Sequence, residues 1–229
     1  MVIIPEKVVY IKVPKAASTT IARMFWDRYG VKQTATMNSE VASNVRHFFS
    51  LEQVGSKVPV LNGNWFFNRS VAFGWHAGYQ DLNHVFGEQL RGYHWVASVR
   101  HPVPRMFSVF SFQVAKGRIN ASLTETDFTS FCQAVFEGGR DLTQQQHVHT
   151  WAQSRWLPAP TDEQELSLIR QENLADDVAA LAARVPSFGG GQLAHANRSF
   201  QGDWQRFVGP ALRKQIEDHY TEDMERFGY

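Results

Sequence analysis

One cysteine, Cys132, stands in the whole chain of 229 residues. No intrachain disulfide can form, so the fold must rest on its hydrophobic core, and a reducing compartment suits it. Within DFTSFCQAVF that thiol reads as a small buried hydrophobe rather than a nucleophile. An excess of one charge is lacking too: 23 basic and 22 acidic residues leave a formal charge of +1. That balance gives no basis for broad attachment to nucleic acid or to a membrane surface, so any anion site must be local. Long apolar runs are missing as well. The opening MVIIPEKVVYIKV is broken by Pro5, Glu6 and Lys7, too short and interrupted for a signal peptide or a membrane span. No later stretch reaches the ~20 apolar residues that a spanning helix needs. The expectation is a cytoplasmic protein, or a soluble catalytic piece of a longer one.

With 43% apolar and 20% charged residues the composition is that of an ordinary globular protein, long enough for one domain over 1–229. No internal repeat or extended low-complexity tract occurs. Apolar β-branched runs predict strands at Val8–Val13, Ser70–Phe73, Tyr93–Val99 and Leu166–Arg170. Helical spacing predicts helices at Thr19–Tyr29, Asp81–Leu90, Pro104–Lys116, Thr124–Phe136, Leu174–Val185 and a closing helix at Pro210–Phe227. Ser187–Gly191 reads as a flexible loop. Strands alternating with helices imply an α/β domain with a mainly parallel central sheet flanked by helices. In such sheets ligands bind beyond the carboxyl ends of the strands, where Lys15, His76 and Arg100 emerge.

Glycine is absent between Val8 and Tyr29, and that absence is informative. VVYIKVPKAASTT followed by IARMFW reads as a strand, a tight turn and a helix N-terminus, a place where backbone N–H groups and the helix dipole favour an anion. A nucleoside-triphosphatase loop needs glycines before its lysine and Ser or Thr directly after it. Here Lys15 opens the turn, Ala16 follows it, and Ala17, Ser18, Thr19 and Thr20 complete it. The magnesium-binding hydroxyl is missing, which weighs against an ATPase or kinase. Taken alone, the stretch fits equally a polar turn with an exposed lysine.

A second stretch, WVASVRHPVPRMFSVFSF, ends a buried strand on Arg100 and places Ser108 on the second turn of the next helix. An arginine fork and a hydroxyl there can grip one phosphate from two sides. Arg105 is the alternative donor, and a structural ion pair is the plainer role for Arg100.

Together the two stretches resemble the sulfotransferases that use 3′-phosphoadenosine-5′-phosphosulfate (PAPS). Pro14-Lys15-Ala16-Ala17-Ser18-Thr19-Thr20 is similar to their 5′-phosphosulfate loop, in the form seen in the carbohydrate 2-O-sulfotransferase-like group. Val99, Arg100, Pro102, Arg105 and Ser108 are similar to their 3′-phosphate motif. HVHTWAQSRWL, Ile169–Leu174, the loop His195–Ser199 and the ending Tyr220-x-x-Asp223-x-x-x-Phe227-Gly228-Tyr229 extend the resemblance along nearly the whole chain.

The resemblance implies a P-loop-kinase-like fold and transfer of a sulfuryl group from PAPS to an acceptor hydroxyl, on a carbohydrate, leaving PAP. It implies that Lys15 and Ala16–Thr20 hold the 5′ side of the donor, that Arg100 and Ser108 hold the 3′-phosphate, and that Arg198 and Ser199 close over the nucleotide. No metal is required. A hydroxyl is a poor nucleophile until its proton is removed, and a histidine of near-neutral pKa suits that task. His76, in FGWHAGY, falls where the 2-O-sulfotransferases carry their base; Gly74 stands where they show a second histidine. The alternatives are an atypical nucleotide-dependent kinase and a non-catalytic nucleotide- or glycan-binding module. His147 and His149 lack further metal-ligating residues at suitable spacing.

Overall fold

A computed structural model describes residues 2–4, 7–28, 66–68, 71–73, 78–86, 90–139, 142–160, 164–188, 193 and 202–229. Its chain divides into two compact units: Met1–Val13, Ala17–Val99 and Trp156–Ala196 form the first, and Pro14–Ala16, Arg100–Arg155 and Asn197–Tyr229 the second.

The first unit holds a four-stranded sheet in the order β1-β2-β5-β6, from strands β1 (Val2–Ile4), β2 (Val8–Ile11), β5 (His94–Val99) and β6 (Leu166–Arg170). β2, β5 and β6 run parallel, with Tyr10 opposite Val96 and Ala97 opposite Leu168. This is the expected parallel α/β sheet, and its central strands are buried on both faces as such sheets require. β1 was not expected; Pro5 and Glu6 interrupt its apolar run, and it lies antiparallel at the sheet edge, where such a break is tolerated. β2 ends at Ile11, two residues earlier than predicted.

Helices α1 (Ser18–Arg28), α2 (Tyr79–Phe86) and α6 (Leu174–Arg184) belong to this unit. Ile21, Ala22 and Met24 of α1 and Val178 and Leu181 of α6 share one core with Val8, Tyr10, Val96 and Ile169 of the sheet. Inside it the Tyr10 hydroxyl is satisfied by Ser98 Oγ at 2.7 Å. Ser187 and Phe188, expected in a flexible loop, form a 3-10 turn, Pro186–Phe188; Phe188 is fully buried against Tyr10, which holds that end of the segment. A separate antiparallel pair, β3 (Phe66–Asn68) and β4 (Val71–Phe73), accounts for the strand expected near Ser70–Phe73.

The second unit is helical. α3 (Pro102–Ala115) starts one turn after the end of β5, with Pro102 at its first position and the His101 ring accepting from Val103 N at 3.2 Å. α4 (Glu125–Phe136) is capped by Thr124, and α5 (Gln144–Thr150) by a reciprocal Thr143–Gln146 box. Met106, Phe107 and Phe110 of α3 pack on Phe128, Phe131 and Cys132 of α4. Phe107 and Phe128 meet edge-on at 5.3 Å. Cys132 is fully buried, and that burial pushes its thiol pKa upward, as its apolar setting predicts.

The closing helix is two helices, not one: α7 (Pro210–His219) and α8 (Thr221–Phe227). Tyr220 leaves helical geometry between them (φ −108, ψ 33), and its buried hydroxyl donates to the Thr150 carbonyl. The apolar spacing runs straight through the break, because Tyr220 and Phe227 keep the same buried face. Among the described residues no helix is long and apolar enough to cross a membrane.

Candidate active site

The turn after β2 takes its shape from backbone that glycine usually provides. Lys15 has φ 64 and Ala17 φ 58, both in the left-handed region, with Ala16 between them at ordinary negative φ and fully buried. Alternation of this kind turns successive backbone N–H groups toward one side. In the first unit Ser18 and Thr20 are buried and Thr19 is half-buried at the start of α1, whose first helical bond is Ile21 N to Ala17 O at 3.2 Å. The N–H groups of that first turn emerge at the positive end of the helix dipole.

A left-handed alanine costs roughly 1–2 kcal/mol, of which glycine's greater chain entropy would return only part. Ala17→Gly should therefore raise stability by ~0.5–1 kcal/mol, read as a thermal midpoint about 2 °C higher. A lower midpoint would show that the methyl group of Ala17 packs productively.

On the second unit Lys15 is half-buried, with Nζ 4.2 Å from the centre of the Phe112 ring. Arg118 lies 5.1 Å from the same ring. The Phe112 ring thus attracts two cations without neutralising either. Burial, and then the charge of Arg100, push the Lys15 pKa from 10.5 down to about 8. His149, buried beside Phe112 with ring centres 5.8 Å apart, is pushed down to about 4 by burial and then by Lys15, Arg105 and Arg118. It is neutral at physiological pH and adds no charge to the group.

Arg105 does not serve as the alternative anion donor. It is 2% exposed, and its guanidinium donates to the carbonyls of Pro14 (3.1 Å), His149 (3.0 Å) and Trp151 (2.8 Å). It is the clamp that fixes the residue before Lys15. Arg100, by contrast, is half-buried, and its backbone is held on both sides by one side chain. Gln153 Oε1 accepts from Arg100 N at 2.9 Å, and Gln153 Nε2 donates to Arg100 O at 2.8 Å. Ser108 stands half-buried on the second turn of α3.

The structure therefore brings Lys15 and Arg100 within electrostatic reach on one unit, with Ser108 on the helix that follows Arg100. His76, Arg198 and Ser199 lie outside the described residues. From sequence, Gln153 and Asp223 enter only as members of the stretches that carry the resemblance, with no role of their own; the fully buried Asp223 accepts from Gln153 N at 2.7 Å and Ser154 N at 2.8 Å. The signal for Asp223 was an acid three residues after Tyr220 and four before Phe227, on the apolar face of the closing helix; such an acid must be paired. Among the described residues no three of His, Cys, Asp and Glu are grouped to hold a metal ion.

The chemistry of this set is cationic. Its ammonium, guanidinium and hydroxyl donors suit a phosphate-bearing ligand, and the carboxylate of Asp223 is spent on backbone N–H groups. A family model described as the sulfotransferase family matches residues 2–229. The chain belongs to the sulfotransferase family. Searches of curated proteins and of solved structures each give no significant match. The family membership makes the protein a transferase acting on a sulfuryl group, with a hydroxyl-bearing acceptor, and agrees with the parallel α/β sheet. In a sulfotransferase the absence of a hydroxyl directly after Lys15 is no defect.

Proposed function

We propose that this sulfotransferase takes its sulfuryl group from PAPS and transfers it to a carbohydrate hydroxyl, releasing PAP, with all 229 residues acting as one catalytic domain. The observation that carries the reading is the pairing of Lys15 and Arg100: two cations whose charges sense each other, Arg100 with its backbone held by Gln153 and Lys15 directly after the Pro14 carbonyl that Arg105 holds. A nucleotide with phosphates at both ends needs such a pair, whereas AMP needs only one. Lys15 and the amides and hydroxyls of Ala16–Thr20 face charge that grows on the 5′-phosphate as the sulfuryl group departs. Arg100 and Ser108 hold the 3′-phosphate, and Arg198 and Ser199 close over the nucleotide. His76 takes the acceptor proton. When bound, PAPS supplies the group transferred; the lysine and backbone donors here do what a divalent metal does in phosphoryl transfer.

Calorimetry with PAP and AMP in the presence of a chelator tests the donor, and labelled PAPS offered with glycan, lipid and phenolic acceptors tests the acceptor. The expected result is metal-independent binding of PAP, far tighter than AMP, and label on a glycan, with His76→Ala losing transfer but keeping PAP. Transfer of phosphate from ATP with magnesium would overturn the reading.

A further inference from the structure

We propose that Asp223, acting through Gln153, is the positioning residue that sets Arg100 for the 3′-phosphate. The inference rests on the donor reading above and deepens it. An arginine side chain is long and rotamer-rich, so its guanidinium finds one phosphate reliably only if the main chain beneath it is fixed. Arg100 follows directly on the last residue of β5, Val99, whose register partner on β6 is Arg170. The Gln153 amide meets Arg100 N at 2.9 Å and Arg100 O at 2.8 Å, the donor and acceptor pattern of a backbone pair.

An amide can turn over and exchange its oxygen and nitrogen, so that grip needs something to fix its sense. Asp223 supplies it. Its Oδ2 already accepts from a backbone N–H, so the Gln153 atom beside it is the donor; Nε2 lies 3.3 Å from Oδ2. The same oxygen takes Gln153 N at 2.7 Å, and Oδ1 takes Ser154 N at 2.8 Å. With Nε2 held toward Asp223, Oε1 is left facing Arg100 N. All four residues are on the second unit, and both Gln153 and Asp223 are fully buried. Neither touches the ligand in this scheme.

The experiment compares PAP with AMP by calorimetry for the wild type, Asp223→Asn, Gln153→Glu and Gln153→Asn, with thermal unfolding recorded for each. Asp223→Asn removes the purely accepting partner. Gln153→Glu keeps the shape but faces the Arg100 carbonyl and Asp223 with an acceptor. Gln153→Asn keeps the amide and shortens its reach, so it tests the same contact with the mildest change. Because Arg100 reads only the 3′-phosphate, each variant should bind PAP about tenfold or more weakly, the size of one charge-assisted hydrogen bond, while AMP affinity stays within about twofold. A variant that is merely less stable would weaken both ligands alike, and that result overturns the proposal. So do variants that keep the wild-type preference for PAP. A wild type that binds PAP no more tightly than AMP overturns the donor reading and the positioning role with it.

Discussion

Replacing Lys15 by Met is expected to lower kcat/KM for sulfuryl transfer by about 10²–10³-fold, while leaving the fold at least as stable as the wild type. The loss is that of one preorganised donor aimed at charge that develops in the transition state. Stability holds because Met keeps the apolar stem over Phe112 and removes an ammonium that burial and Arg100 both disfavour. The pH dependence follows from the same cause. Lys15 and the buried Lys12 each have a folded pKa near 8, against an ordinary 10.5. Their unfolded forms hold protons more tightly, so their cost to stability is full below pH 8 and is relieved as pH rises from about 8 to 10.5. Anion affinity runs the other way, falling above pH 8 as Lys15 loses its charge. The wild-type kcat/KM should therefore show an alkaline limb near pH 8 that Lys15→Met lacks. Equal activity of wild type and variant at pH 7 would remove Lys15 from the chemistry.

Arg105→Met is expected to be the most destabilising single change, costing about 3–5 kcal/mol, with a thermal midpoint lower by roughly 10 °C. The side chain volume is nearly kept, so the cost is electrostatic. Three carbonyls lose their donor, among them that of Pro14 next to Lys15. Asp223 loses the buried cation whose charge it favours. Arg105→Lys should recover only part of this, because a single ammonium cannot span three carbonyls as a guanidinium fork does. A melting curve within 2 °C of wild type for Arg105→Met would refute the clamp.

The strands β2, β5 and β6 and the helix after Arg100 were readable because each is dominated by local pattern: β-branched apolar runs in the strands, and 3.6-residue spacing behind a proline in α3. β1 escaped because three apolar residues before a proline carry no period. The break at Tyr220 escaped for the opposite reason: the period is unbroken, and the interruption accompanies a hydrogen bond to Thr150, remote in sequence. The site divides along the same line. Lys15 and Arg100 each come shortly after a buried strand, which is a local signal. Gln153, Asp223 and the clamping role of Arg105 exist only through partners far along the chain, and a glutamine or arginine in a polar stretch looks like solvated surface until its partners are placed.

Those long separations have a consequence for the order of events during synthesis. Arg105 reaches back 91 residues to Pro14 and forward 44 to His149, and Asp223 lies 70 residues beyond Gln153. A ribosome delivers Lys15 and Arg100 before Asp223, the carboxylate that accepts from Gln153. A nascent chain therefore carries Lys15 and Arg100 before Gln153 and Asp223 exist, and contacts so distant are slow to close. The surroundings of Arg100 are therefore completed only once Asp223 of α8 has been made.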